Sequence, residues 1–148
     1  MSKCDDLPFE TTLEVRDTCL CLHLQRAARA VARRFDAALR PLGLTSGQFS
    51  LLMSLNRPEP ASIGDVSSLL AMDRTTLTAN LKPLERRGLL TVTVDGADKR
   101  MRRLMLTPAG RALLDAAVPV WRETHAEIER LLAGPTADRL RADLCALS

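Results

Sequence analysis

Thr75, Thr76 and Thr78 crowd the short stretch RTTLTANLKPLERRG together with Arg74, Lys82 and Arg86. Hydroxyls and cations in this mixture are suited to holding anions. The hydroxyls exchange single hydrogen bonds, and the cations neutralise charge. A second cationic set, Lys99, Arg100, Arg102 and Arg103, follows in DKRMRR. Catalytic chemistry has no comparable support. His23 and His125 stand far apart, and no zinc-protease spacing, glycine-rich phosphate loop or nucleophile elbow occurs. An enzyme is not expected, nor is a metal or a cofactor. Cys4, Cys19, Cys21 and Cys145 lack metal-cluster spacing. Cys19 and His23 share a helical face and could hydrogen-bond, but two ligands do not make a metal site. At ~100° per residue, Cys19 and Cys21 lie about 200° apart on a helix, which is poor geometry for pairing within one chain.

These residues need a scaffold, and composition narrows it. The 148 residues allow a single domain, 1–148, with a real core. Hydrophobic residues make up 46% and aromatics 3%, with no Tyr, so the core must be built from Leu, Ala and Val, which suits helices. Net charge is only +3, but its distribution is uneven. Residues 61–107 carry eight basic and five acidic side chains, whereas residues 1–21 carry two and five. A basic middle between acidic ends points to an anionic partner for the middle. The start, MSKCDDLPFE, is acidic where a secretory signal would be basic, and no apolar run approaches the roughly 20 residues needed to span a bilayer. A cytoplasmic protein with reduced thiols and no membrane partner is expected.

From about Leu13 to Leu42 the residues Leu20, Leu24, Ala27, Val31, Phe35, Ala38 and Leu42 step by three or four, predicting one long amphipathic helix. At ~1.5 Å per residue it would reach about 40 Å, more than a small domain can cover, so part of its seam is expected to meet a second chain. Thr45 and Gln48 form a capping-box signature before FSLLMSL. Ser62 caps a third helix, IGDVSSLLA, and Asp73 caps a fourth almost at once, the order of a helix-turn-helix. After Gly88 the period changes. Leu90, Val92 and Val94 alternate with threonines, DGADKR makes a tip, and Leu104 and Leu106 mark the returning strand. Thr107 and Pro108 open another helix, expected to run to Gly134 with a kink at Pro119, and a last one holds Leu140, Leu144 and Leu147.

On the fourth helix, Leu77, Leu81 and Leu84 share an inward face, which turns Thr75, Ala79, Lys82 and Arg86 outward with Thr76 and Thr78 flanking. That face is small near its N-terminus and cationic toward its end. It fits the major groove of double-stranded DNA, where hydroxyls meet phosphates or base edges and methyls touch thymine. The hairpin cations could reach an adjacent minor groove or backbone. Asn80 falls toward the buried flank and is expected to pack or hydrogen-bond there.

The stretch from LTSGQFSLL through ASIGDVSSLLAMDRTTLTANLKPLERRGLL to DGADKRMRRLMLTPAG resembles the MarR family of bacterial winged-helix regulators, over about residues 20–133. The wing pattern Asp98-x-Arg100 leading to Leu106-Thr107-x-x-Gly110 is among its more specific features. The resemblance implies a mainly α fold with a small β-hairpin wing, a winged helix-turn-helix. Residues about 45–107 would form the DNA-binding lobe, and the terminal helices, about 13–42 and 108–148, a homodimer interface. Asp73–Arg87 would be the reading helix and Arg100 the wing arginine. Many relatives carry arginine where this chain has Ala79, so guanine contact is not expected there. Two reading helices would meet half-sites about one DNA turn apart.

Such regulators commonly release DNA on binding a small, often aromatic or phenolic effector. The candidate pocket residues are His23, Arg26, Phe49, Met53 and Trp121, expected to meet where the first, second and fifth helices join. In organic-peroxide sensors of the family a cysteine aligned with Cys21 is oxidised, but the tyrosines that hold it are replaced here by Gln25 and Phe35. The expected function is therefore a homodimeric, effector-responsive transcriptional repressor. The alternatives are a redox-responsive repressor using Cys21 or Cys19, and a protein-interaction adaptor that has lost DNA binding. The adaptor would carry an apolar or acidic reading face and an uncharged wing.

Overall fold

A computed structural model describes residues 7–134 and 136–148. In chain order it contains α1 (Phe9–Thr18), α2 (Leu20–Leu39), a 3₁₀ turn (Arg40–Leu42), α3 (Ser46–Ser54), β1 (Ala61–Ser62) and α4 (Ile63–Leu70). These are followed by α5 (Arg74–Arg86), β2 (Leu90–Val94), β3 (Arg102–Leu106), α6 (Pro108–Glu129) and α7 (Ala137–Ala146). The mainly helical fold with a small hairpin is the one expected.

The core gathers the leucines of the middle of the chain. Leu39 from the end of α2 and Leu52 from α3 meet Val66 from α4, Leu77 and Leu84 from α5, and Leu90 and Leu104 from the sheet, all essentially inaccessible to solvent. Burying each such side chain contributes about 1.5–3 kcal/mol, enough to fix how α5 faces inward. The sheet has the order β1-β3-β2 and is antiparallel throughout. Val92 pairs with Leu104 and Val94 with Arg102, so apolar side chains sit at the root of the hairpin and charge at its tip. Strand β1 was not foreseen. Two residues carry no period, and Ala61–Ser62 becomes a strand only because β3 lies beside it.

Caps follow the sequence closely. Thr45 and Gln48 form the expected capping box of α3. Ser62 caps α4 through an unexpected second box with Asp65, whose carboxyl is held below its ordinary value chiefly by the backbone and side-chain hydrogen bonds of Ser62. Asp73 accepts the Thr76 amide at the start of α5.

Two helix expectations need correction. The single helix over 13–42 is two helices, because Cys19 adopts φ −68° and ψ 110° between them. Thr18 Oγ1 donates back to the Glu14 carbonyl at 2.7 Å, a local bond that competes with helix propagation. The 200° separation of Cys19 and Cys21 presumed an unbroken helix and does not apply. The second correction concerns α6, which ends at Glu129, short of Gly134. Gly134 instead serves a left-handed turn at φ +66° that leads toward α7.

Candidate nucleic-acid interface

The turn between α4 and α5 is as tight as the sequence required. Ala71 takes a left-handed conformation at φ 49°, its amide and that of Met72 reach back to carbonyls of α4, and Asp73 then starts α5. With Leu77, Leu81 and Leu84 buried, Arg74, Thr75, Thr76, Thr78, Ala79, Lys82 and Arg86 are all exposed, as expected. The helix continues through Pro83, which lacks the amide hydrogen of an ordinary interior residue.

The threonines are not equivalent. Thr76 Oγ1 donates to Asp73 Oδ2 at 2.7 Å, and Thr78 Oγ1 donates to the Arg74 carbonyl at 2.8 Å. Both hydroxyl protons are spent on the helix, so these residues offer outward only a methyl group and oxygen lone pairs. Thr75 makes no such bond among the described residues and keeps its proton for a partner. Arg74 leans over α4, where a Cβ on Gly64 would stand 3.3 Å from Arg74 Nη2. Lys82 and Arg86 enter no ion pair among the described residues. Arg87, at the end of the helix, does something else. Its Nη1 donates to the Gly43 carbonyl at 2.8 Å and ties the end of α5 to the 3₁₀ turn that follows α2. Asn80 is exposed rather than flank-buried, although its amide does approach Met72 Sδ at 3.7 Å.

The wing is organised by Asp95. Its carboxylate accepts the amides of Ala97 at 2.7 Å and Asp98 at 3.0 Å, and pairs with Arg103 Nε at 2.5 Å. The amide of Asp98, then Arg103 and the amide of Ala97, hold the Asp95 carboxyl down to about 2. Asp98 in turn accepts the Arg100 amide at 2.9 Å. The Asp-x-Arg pattern is therefore a turn that presents Arg100. Of the wing cations, Arg103 is committed to Asp95, and Arg102 is exposed but donates to the Lys99 carbonyl at 3.2 Å. Lys99 and Arg100 are exposed and enter no ion pair among the described residues.

The Leu106-Thr107-x-x-Gly110 signature fastens the wing to the domain. Thr107 Oγ1 donates to the Gly88 carbonyl at 2.6 Å and accepts the Gly110 amide at 3.0 Å. A Cβ on Gly110 would fall 2.0 Å from the Leu89 carbonyl oxygen, so only glycine lets α6 pass so close to that backbone.

The expected effector residues separate into two places. Phe49, Met53 and Trp121 line one cleft of about 550 Å³, together with Arg122, Val118 and Leu69. Phe49 and Trp121 are stacked with centroids 6.3 Å apart, and Trp121 stacks in turn on His125 at 5.0 Å. His23 and Arg26 instead face outward on α2 beside Arg29 and Arg33, because the N-terminal half of α2 stands clear of α3 and α6. The cation that reaches the cleft is Arg122, which no periodicity argument singled out.

His23 does not bond the Cys19 thiol. Its Nδ1 lies 2.8 Å from the Cys19 carbonyl, which can only accept, so Nδ1 carries the hydrogen. Gln25 Nε2 donates to Cys21 Sγ at 3.5 Å. Cys4 lies outside the described residues. Among the described residues no group of three acidic, histidine or cysteine side chains could hold a metal, and no helix is long and apolar enough to cross a membrane.

A helix, a left-handed turn, a second helix with an exposed cationic face, and a hairpin with a charged tip define a winged helix-turn-helix. A family model described as MarR family matches residues 42–101, from the 3₁₀ turn through the wing tip. The transcriptional regulator MosR of M. tuberculosis, solved in complex with DNA, superposes with a TM-score of 0.80 at 39% identity, covering 88% of this chain and 93% of that one. The transcriptional repressor NicR of Pseudomonas putida is 33% identical over 121 residues, 80% of this chain and 72% of NicR. BpsR of Bordetella bronchiseptica, whose DNA binding is regulated by 6-hydroxynicotinic acid, superposes with a TM-score of 0.74 at 29% identity, covering 87% of this chain and 97% of that one. Two further curated relatives, 31% and 35% identical, are spanned over only 65% and 50% of their own length. The chain belongs to the MarR family.

Proposed function

We propose that this protein is a cytoplasmic, sequence-specific transcriptional regulator that binds a pseudo-palindromic operator as a homodimer and represses until a small aromatic effector releases it. One observation carries the reading: a helix anchored by three buried leucines holds Thr75, Lys82 and Arg86 outward, next to a wing whose Arg100 is presented by a dedicated turn. The adaptor alternative requires the opposite chemistry on that face. MosR and NicR, both regulators of transcription, support the same reading, and they give an enzymatic role no support.

Residues about 45–107 read DNA, through Arg74, Thr75, Thr76, Thr78, Ala79, Lys82 and Arg86 on α5 and Lys99, Arg100 and Arg102 on the wing. The termini dimerise. Leu20 is 70% exposed and Leu147 63%, and Phe9, Val15, Leu24, Leu140 and Leu144 are also uncovered, a set that a single chain leaves in water. Such two-fold pairing places one reading helix in each half-site. The effector enters the Phe49–Trp121 cleft, where stacked rings suit a planar aromatic group and Arg122 suits a carboxylate or phenolate on it.

Footprinting of reduced protein on DNA upstream of its own gene, across a salt series, tests the reading. The expected result is a two-fold-symmetric footprint of one to two helical turns that weakens steeply with salt and is relieved by aromatic acids. Protection no better than on random DNA at every site tried would overturn it.

A further inference from the structure

A helix can read base edges through paired hydrogen bonds or through methyl groups, and the first half of α5 lacks the means for the former. Its outward side chains there are Thr75, Thr76, Thr78 and Ala79, all short and all exposed. Paired hydrogen bonds to guanine or adenine take a guanidinium, ammonium or amide reaching into the major groove. The groups nearest to that task are turned elsewhere. Arg74 leans toward Gly64 on α4, and the Asn80 amide lies 3.7 Å from Met72 Sδ, beside the α4–α5 turn. Lys82 and Arg86 follow about 4.5 and about 10.5 Å beyond Ala79 along the axis, at ~1.5 Å per residue. In a helix-turn-helix the N-terminal residues of the second helix meet base edges. The small residues therefore take the floor of the groove, and the cations take its phosphate rim.

The threonine hydroxyls are largely withdrawn as well. Thr76 engages both oxygens of the Asp73 carboxylate, Oδ1 through its amide at 2.8 Å and Oδ2 through its hydroxyl at 2.7 Å. Thr78 Oγ1 donates to the Arg74 carbonyl at 2.8 Å. With Oγ1 held back against the helix, the γ-methyl is the part of each side chain left to project. Among the described residues Thr75 Oγ1 has no acceptor, but one hydroxyl proton makes no bidentate contact. The γ-methyls of the three threonines and the Ala79 methyl thus cover about 6 Å of helix, the length of roughly two base steps. Of the four bases only thymine presents a methyl group in the major groove, at C5.

We propose that α5 reads thymine methyl groups, so that the core of each operator half-site is a run of roughly two or three T·A pairs, and that 5-methylcytosine substitutes for thymine there. The inference rests on the assignment of α5 as the reading helix and names the class of operator that this assignment leaves open. Recognition is apolar, methyl against methyl with water excluded. The lone pairs on Thr76 and Thr78 Oγ1 are left to accept from the adenine amino group that each T·A pair presents. Cytosine offers an amino hydrogen but no methyl, so it is disfavoured by a lost contact rather than by a clash. Methylation at its C5 restores the contact, and the same face then binds that position more tightly.

The test begins with the full chain selecting duplexes from a randomised pool, so that no operator need be known in advance. Enriched sequences should be two-fold related, with adjacent thymines in each half-site. Deoxyuridine at those positions then removes the methyls and nothing else. Affinity should fall about fourfold for each contacted methyl, the worth of one buried CH₂ group, and more than tenfold when both half-sites are changed. A 5-methylcytosine in place of a core thymine should bind more tightly than a cytosine there. Thr75→Ser/Thr76→Ser/Thr78→Ser keeps every hydroxyl and removes three methyls. This variant should bind the thymine duplex more weakly than the parent and show a smaller penalty for deoxyuridine. A guanine core, equal affinity for thymine and deoxyuridine duplexes, or an undiminished deoxyuridine penalty in the serine variant overturns methyl reading. A 5-methylcytosine no better than cytosine overturns the substitution. If no sequence is enriched, the assignment of α5 as a sequence reader fails, and methyl reading fails with it.

Discussion

The lobe from α3 to β3 and the terminal helices are written in the same leucine-rich vocabulary, yet they meet different fates. In the lobe the main apolar seams find a partner: α5 buries Leu77, Leu81 and Leu84, and β3 buries Leu104 and Leu106. In α1 and α7 no residue is buried, and in the 20-residue α2 only Leu39 is. A periodic seam thus states that burial is needed without stating who supplies it. Inside the lobe the supplier is the same chain. At the termini it is assigned here to a second copy.

Substitution separates the two cases. Leu77→Ala should lower the unfolding free energy by about 2–5 kcal/mol, the usual range for truncating a fully buried leucine, read by urea denaturation at fixed protein concentration. The paired change Leu20→Glu/Leu24→Glu should leave the lobe folded but yield a monomer in sedimentation, with a melting temperature that no longer rises with protein concentration. A dimer that survives this change would break the comparison, since the bare seam would then not be the interface.

Gly110→Ala comes next. The new methyl meets the Leu89 carbonyl oxygen at 2.0 Å, and backbone must yield to it. A loss of about 1–3 kcal/mol is expected, as for other overpacked sites, with the wing strands loosening first in hydrogen exchange. Full stability would show that α6 can slide away from β2 and that the signature glycine is not a packing requirement.

The same contrast governs what the sequence made legible. Helix existence, the foreseen caps at Thr45, Ser62, Asp73 and Thr107, the turn and the hairpin could be read because each rests on local chemistry or on a period. The break at Cys19 could not, since Leu13 and Leu20, seven residues apart on either side of it, keep a helical spacing, and the only local hint is a threonine that bonds its own helix. Strand β1 was hidden because two residues have no period and their partner is distant in sequence. At the candidate site the exposure of Thr75, Thr76, Thr78, Ala79, Lys82 and Arg86 was readable from the angle about the helix, whereas that of Asn80 was not. The division of labour among them was not, because hydroxyl protons and guanidinium partners are decided by geometry. The effector residues fared worst. His23 and Arg26 were grouped with Phe49 and Trp121 at the expected junction of the first, second and fifth helices, and the outward-facing half of α2 separated them.

That division of labour can be tested on the wing. Arg100→Ala should weaken operator binding and flatten the slope of log affinity against log salt by about one unit, as loss of one phosphate-neutralising cation does. Arg103→Ala should change the slope less, because Arg103 is already paired with Asp95. Equal slopes for the two variants would mean that Arg103 leaves its partner on the DNA.

The smallest effect belongs to Asp95, and its sign can be worked out. The carboxyl is lowered from an ordinary 3.8 to about 2 in the folded wing, first by the Asp98 amide and then by Arg103 and the Ala97 amide. A lowered acid stabilises the folded form at any pH above the ordinary value. That contribution is lost as pH falls from about 4 through about 2, where the folded carboxyl protonates. At neutral pH the clamp is complete, and acid should loosen the wing before the leucine core. Asp95→Asn removes the titration and retains an oxygen for the two amides, so the Ala97 and Asp98 amides should exchange at a rate nearly independent of pH-linked wing opening between pH 4 and 2, after correction for intrinsic exchange. The parent should show extra opening over the same interval. Identical profiles would place the acid sensitivity of the wing elsewhere. The wing would then be held mainly by its β2–β3 ladder, and the Asp95–Arg103 pair would only occupy a cation that could otherwise face DNA.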